Sequence, residues 1–418
     1  MMRTAKKLNK GYTPFYDIKR HKTTCFLLFV CLSFSAMAQD GFTDRTEAKN
    51  EVKNGLKEGK WIEYIDDKGA ITKDSNAPFY ALVIFKDDKP VGLMRAYYND
   101  AKLFSETFFT SDGKRNGMQK AYYESGKLRR QVNFANDSIM DTAYEYYENG
   151  QVQNMHPYKH GLEQGVEKRY YDNGNINWLI PFTNDKINGV QKEYYKSGVC
   201  EGLFTFTNGK ENGVDSQYYE SRIIQYVTPF VDGKKAGVEK DYYASGLLKG
   251  EYPYTDGKLE GMVKEYYESG KLKHESFTAK GKTTGTEKQY YESGRIKSEV
   301  PYVEGIPDGT AKEYYESGKL KYETVLKAGA KNGLEKDYFE SGLLQGQFPY
   351  VKDVLNGTVK KYYEDGKLQF EYTCAEGRKN GIQKEYYENG KVKFETPYTD
   401  DKISGEVKSY DEKGNPIK

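Results

Sequence analysis

Glu265-Tyr266-Tyr267-Glu268-Ser269-Gly270-Lys271-Leu272 decides how this chain is read, because the stretch recurs. A Tyr-Tyr pair begins at residues 122, 146, 170, 194, 218, 242, 266, 290, 314, 362 and 386, and Tyr338-Phe339 fills the one gap. Each step is 24 residues. Tyr97-Tyr98 lies 25 residues before the first pair, and Tyr410 lies 24 after the last. A fixed period outranks length as a guide to architecture, so the 418 residues read as an array and not as two or three ordinary domains.

Setting the first tyrosine of each pair at position zero aligns the units. Position −5 is glycine in nearly every unit, as in Gly165, Gly261, Gly309 and Gly381, with Asp141 as the exception. Position −4 is apolar or threonine, −2 is usually lysine and −1 is usually charged. Position +4 is again glycine except at Arg222 and the early Ala101, +6 is mostly apolar and +12 is mostly aromatic. Two short runs rich in Tyr, Val, Thr and Phe, parted by Ser-Gly or Asn-Gly and closed by a turn such as Asp256-Gly257-Lys258, spell a β-hairpin. No stretch has the 3.6-residue period of an amphipathic helix. The predicted fold is all-β: an elongated, single-layer array of antiparallel hairpins, an open solenoid-like twisted sheet of 24-residue two-strand units.

The turn sets the register. A two-residue turn would pair +1 with +6 and −1 with +8, whereas a three-residue loop with glycine in the left-handed region and a bulge pairs 0 with +6 and −1 with +7. The bulged form is favoured. It places Glu265 opposite Lys273 and Glu313 opposite Lys321, and gathers −4, 0, +6, +8, +10 and +12 on one apolar face. Positions −3, −1, +1, +7 and +9 then form a charged face.

Composition agrees. Tyrosine numbers 40 and tryptophan 2, and hydrophobic residues make up 37% of the chain, too little aliphatic material for a thick core but enough for a sheet covered by rings. Residues 1–38 differ from the rest. Met1 to Lys22 carries seven basic residues against Asp17 alone, an apolar run follows from Cys25 to Phe34, and Ala36-Met37-Ala38 precedes Gln39. That is the pattern of a cleavable secretory signal peptide, with cleavage expected after Ala38 and a secreted or periplasmic product. The apolar run is shorter than the roughly 20 residues a bilayer span needs, and no transmembrane segment is expected in the mature chain. Losing a surplus of six positive charges takes the formal charge from +2 to −4, so no basic stripe remains for nucleic acid. Residues 39–90 read as an N-terminal cap holding a worn repeat at Gly59-Lys60-Trp61-Ile62-Glu63-Tyr64. Residues 91–418 read as the array. Ala81 to Phe85, the most aliphatic strand, is expected to be the covered start of the sheet.

The recurring Gly-x-x-x-x-Tyr-Tyr-x-x-Gly-x-Leu, from Gly92 to Gly414, resembles the MORN repeat in its bacterial variant form. The resemblance covers about 80% of the chain and departs from the commoner pattern in its Tyr-Tyr pair and near lack of tryptophan. It implies a scaffold that binds proteins or membranes. Several proteins of this kind are labelled antitoxin components of toxin–antitoxin systems, which is a further alternative. Tyr-Tyr followed by Asn/Ser-Gly is also similar to choline- and glucan-binding hairpin repeats, so a glycan or cell-wall surface is the second reading.

No catalytic set is expected. G-x-S-x-G, H-E-x-x-H and P-loop motifs are absent from the sequence. His156 and His160 lie four apart, on a strand and the turn after it, and lack the further ligands zinc needs, so no metal or cofactor is expected. Cys200 and Cys374 read as small packing residues. The candidate binding residues are the second tyrosines, Tyr123, Tyr147, Tyr171, Tyr195, Tyr219, Tyr243, Tyr267, Tyr291, Tyr315, Tyr363 and Tyr387. By parity they leave the apolar face, and a tyrosine ring offers flat apolar area at low entropic cost. The function that follows is a non-enzymatic scaffold for a protein partner.

Overall fold

The computed structural model describes residues 41–417. Residues 1–38, including the expected signal segment and cleavage point, lie outside the described residues. The chain divides into two compact units: Met1–Cys200 with Phe206–Gly209, and Glu201–Thr205 with Lys210–Lys418. In both, strands pair antiparallel with their neighbours in sequence, hairpin after hairpin in one open layer, as the repeat predicts. The one helical element among the described residues is a 3-10 turn at Arg45–Glu47.

The first unit begins with long strands, Leu56–Ile65, Phe79–Lys86 and Lys89–Tyr98. Here apolar burial holds the sheet. Ala81, Val83, Phe85, Ala96 and Phe104 cluster on one side, and Phe42 packs with Tyr80 and Leu82 on the other. The expected covered strand is therefore covered on both faces, the second by the chain that precedes it.

The second unit is made of near-identical hairpins, of which Gly261–Tyr266 and Leu272–Ala279 are one. Two turns of different kinds close the meander. At Asp256-Gly257 both residues have positive φ (50° and 78°), the two-residue type I′ turn whose twist suits a hairpin. At Tyr267-Glu268-Ser269-Gly270 the Gly270 N–H donates to the Tyr267 carbonyl at 2.9 Å, the Tyr267 N–H donates to the Lys271 carbonyl at 2.8 Å, and Gly270 has φ 81°. This is the predicted three-residue loop with its left-handed glycine.

The glycine at −5 has a separate cause. Tyr254 pairs with Leu259 but Glu251 pairs with Lys264, so one strand carries two more residues than its partner across this stretch. Gly261 sits in that bulge at φ +122°, and a Cβ on it would lie 3.1 Å from Pro253 Cγ. Pro253 has no N–H to place, and its carbonyl accepts from Glu260 N at 2.9 Å. Proline inside a strand is tolerated at such a bulge.

The faces differ from the expectation. Tyr266 pairs with Leu272 as predicted, but Glu265 faces His274, not Lys273, and Glu313 faces Tyr322, not Lys321. Lys273 is one extra residue, a second bulge beside the turn. One inserted residue moves everything beyond it to the opposite face. Positions +8, +10 and +12 therefore join −1, −3 and −5, while position zero joins −2, −4, +9 and +11. Buried positions lie on the first of these faces, at −3 and +10: Glu167, Asp215, Val263 and Val359 in one column, and Ile180, Thr228, Ser276 and Thr324 in the other. Position −4, predicted to be covered, is exposed at Val166, Val214, Met262 and Ile382.

Candidate interaction surface

The tyrosine pair ties each hairpin in two directions. Tyr266 Oη donates to Glu251 of the preceding unit at 3.1 Å, and Tyr267 Oη donates to the backbone carbonyl of Tyr290 in the following one at 2.6 Å. The backward tie recurs at Tyr290–Glu275, Tyr314–Glu299, Tyr338–Glu323 and Tyr386–Glu371. Burial, and then the hydrogen bond to a carboxylate, push the Tyr290, Tyr314 and Tyr386 hydroxyls up to about 12, so these donors stay protonated.

The forward tie runs through the candidate binding residues. Tyr123, Tyr147 and Tyr171 reach the carbonyls of Tyr146, Tyr170 and Tyr194. Tyr219, Tyr243, Tyr291, Tyr315, Tyr363 and Tyr387 do the same to Tyr242, Tyr266, Tyr314, Tyr338, Tyr386 and Tyr410. Tyr195 occupies the same turn position, its N–H donating to Val199 O at 2.8 Å. All eleven rings are half-buried. Lysines at +7 lie over several of them, Lys273 over Tyr267 at 5.7 Å and Lys393 over Tyr387 at 5.4 Å. The hydroxyls are used inside the fold, and what these rings present outward is their partly covered faces. A depression of about 230 Å³ lies there, lined by Tyr267, Lys273, His274, Gln289 and Lys297 among others.

The opposite face carries a different surface. Position −4 is exposed and apolar within each unit: at Met118, Val166 and Val190 in the first, and at Val214, Val238, Met262, Leu334 and Ile382 in the second. Across the hairpin −4 stands opposite +11, which is apolar in several units: Val238 with Pro253, Met262 with Phe277, Leu334 with Pro349. Phe277 and Val325 are exposed as well. Beside this stripe runs a mixed one of lysine at −2 and glutamate at +9, paired at Lys240–Glu251 (3.5 Å) and Lys384–Glu395 (3.4 Å). Such part-exposed pairs add little stability, but they border the apolar stripe with charge of both signs. Exposed apolar residues thus recur at one register position in successive repeats of each unit, and are not scattered singly.

The chemistry-bearing side chains fall on the first face. Among the described residues one trio has metal-ligating atoms close together: His156, Glu163 and Glu167, all within 4.8 Å of one another. The sequence reading weighed His156 with His160 and expected no metal; His160 lies in the turn after the strand, at φ 53°. Glu167 is 3% exposed. Burial pushes its carboxyl up, while the hydrogen bonds and charges of His156 and Arg169 outweigh burial and hold it below the usual range. Asp215, 2% exposed, has no such company, and burial pushes it up to about 6 although the Thr205 N–H donates to it at 2.8 Å. Cys374 is buried in the +12 column, as a packing residue should be, and burial pushes its thiol up.

Eight segments match the MORN repeat variant family: residues 115–136, 142–160, 163–184, 259–279, 283–304, 307–328, 355–373 and 379–400. No curated protein matches the chain. Solved structures with similarity include a TcdB2–TccC3–Cdc42 complex, at 10% identity over 83% of this chain and 25% of that one, with a TM-score of 0.14. The Photorhabdus luminescens Tc holotoxin pore is similar at 10% identity over 85% of this chain and 26% of its own, again with a TM-score of 0.14. The chain thus spans about a quarter of the length of those it resembles. Among the described residues no helix is long and apolar enough to cross a membrane.

Proposed function

Because the chain is a MORN-repeat protein, we propose that it is a non-enzymatic repeat scaffold, secreted or periplasmic, that binds a protein partner along the exposed −4 and +11 stripe. The observation that carries this reading is the repetition of exposed Val, Met, Leu and Ile at one register position, bordered by paired charges. An apolar centre with a polar margin is how protein interfaces are built. A partner lying along the stripe would gain a small contact from each hairpin, and affinity would grow with the number of hairpins engaged.

The test uses the stripe itself. Val214→Lys, Val238→Lys and Met262→Lys together should leave the β spectrum and melting temperature nearly unchanged, since all three side chains are already in solvent. A partner captured from envelope extract by the native chain and lost by this variant supports the reading. Identical capture by both chains, or retention of both on isolated peptidoglycan, overturns it. Secretion has its own test: the chain recovered from the periplasm or medium should begin at Gln39. An unprocessed chain confined to the cytoplasm would contradict that half of the proposal.

A further inference from the structure

The trio around Glu167 departs from two sister units in two columns at once. In the units beginning at Tyr242 and Tyr338, position −7 is lysine and −3 is glutamate, and the two form ion pairs, Lys235 with Glu239 and Lys331 with Glu335. Position +10 of the preceding unit is threonine, and Thr228 donates to Glu239 at 2.8 Å. The −3 carboxylate, buried at Glu335 and partly buried at Glu239, thus has an ammonium beside it in these units. In the unit of Tyr170 the same three places hold His156 at +10, Glu163 at −7 and Glu167 at −3. The lysine has become a second carboxylate, and the threonine has become an imidazole.

One edge of the trio has the spacing of two ligands on a common ion. His156 Nδ1 lies 3.5 Å from Glu167 Oε2. Two ligands at opposite corners of a tetrahedron edge around zinc, each about 2.1 Å from the ion, stand about 3.4 Å apart. Arg169 Nε donates to the other oxygen, Oε1, at 2.5 Å, which fixes the carboxylate and leaves Oε2 toward the histidine. Tyr158 Oη lies 3.4 Å from Glu163 Oε1 and orients the third ligand in the same manner. Second contacts of this kind are what hold ligating side chains in position.

We propose that His156, Glu163 and Glu167 bind one divalent late-transition-metal cation, zinc in type, in the place where the lysine ammonium sits in the units of Lys235 and Lys331. With three protein ligands the ion keeps an open position for water or an external donor. The other His–Glu pair, His274 with Glu287 at 3.7 Å, belongs to no trio of ligating atoms among the described residues and serves as an internal control.

The probes are Zn(II) by calorimetry and Co(II) by the visible band of a tetrahedral complex, each titrated into the full chain without an affinity tag. One equivalent should bind and raise the melting temperature. Glu163→Lys installs the side chain that sister units carry at this place, so the variant should fold, and it should weaken binding at least about tenfold. His156→Gln should weaken it similarly, and His274→Gln should not. Absence of stoichiometric binding, or binding that survives both Glu163→Lys and His156→Gln, overturns the site. The stripe variant keeps all three ligands, so its failure to lose a partner would count against the proposed function and not against the metal site.

Discussion

Residues 56–98 and residues 237–279 are both runs of antiparallel strands, and they are held by different means. In the first, Ala81, Leu82 and Val83 are 2% exposed or less, with apolar clusters on both sides of the strand. In the second, Val263 is the buried large apolar side chain, and what recurs is the pair of tyrosine ties, Tyr243 to Tyr266 and Tyr266 to Glu251. The difference teaches how a thin array persists without a core. One region gains a few large terms from burial. The other gains many small ones, each confined to a pair of neighbouring repeats.

The largest effect should therefore come from the apolar region. Leu82→Ala removes a fully buried side chain and should cost about 2–5 kcal/mol. Hydrogen exchange should locate the loss in Phe79–Lys86 and Lys89–Tyr98, with Gly261–Tyr266 unaffected. Equal loss of protection in both regions would mean that they share one cooperative core, and the comparison would fail.

The second effect sharpens what the repeat can bury. Position −3 is valine at Val263 and Val359 but carboxylate at Asp215. Burial raises the folded-state pKa of Asp215 from 3.8 to about 6, so the folded chain holds this proton more tightly than the unfolded one. The favourable contribution is fully present below about pH 3.8 and is lost as pH rises through 6. The cost of ionising it in place approaches about 3 kcal/mol at neutral pH. Asp215→Asn keeps the acceptor for Thr205 N–H and should stabilise the chain near pH 7, with little effect near pH 4. Denaturation midpoints at the two pH values measure this. An Asp215→Asn gain that does not depend on pH would sink the assignment.

The third effect is on the bulge. Gly309 has φ +122°, and a Cβ would stand 2.7 Å from Pro301 Cγ. Gly309→Ala should cost about 1–3 kcal/mol from the backbone conformation and the contact together. Adding Pro301→Ala should recover only the contact part. Full recovery would show that the left-handed backbone contributes nothing.

Much of this was legible in the sequence. The period, the strands, the turn glycines and the −5 glycine follow from Gly270, Gly257 and Gly261 recurring at fixed offsets, because backbone demands of that kind admit few other residues. The faces were not legible. The extra residue is Lys273, and a bulge at that point asks nothing special of its side chain. Polarity misled too, since −4 is apolar and exposed while −3 is often charged and buried, as at Glu167, Asp215 and Glu335. The trio of His156, Glu163 and Glu167 was missed because its members sit in three columns of two repeats. Glu163 standing where Lys235, Lys331 and Lys379 recur was the signal that comparing columns would have found.

The smallest effect tests the reading that began with the tyrosine pair. The sequence assigns the fold to Tyr266 and binding to Tyr267, whereas the hydrogen bonds give each hydroxyl one tie to a neighbouring unit. Replacing either by phenylalanine keeps the ring and removes one bond, which should cost about 0.5–1.5 kcal/mol in both cases. Because distant repeats behave independently, Tyr219→Phe, Tyr267→Phe and Tyr315→Phe together should cost about the sum of the three single effects. Thermal denaturation of the Tyr266→Phe and Tyr267→Phe chains decides between the two assignments. Equal losses mean that both tyrosines hold the array, and any binding at the second column depends on ring faces alone. A neutral Tyr267→Phe chain that has nonetheless lost a captured partner would return the second column to a recognition role and move the interface from the −4 stripe to the opposite face.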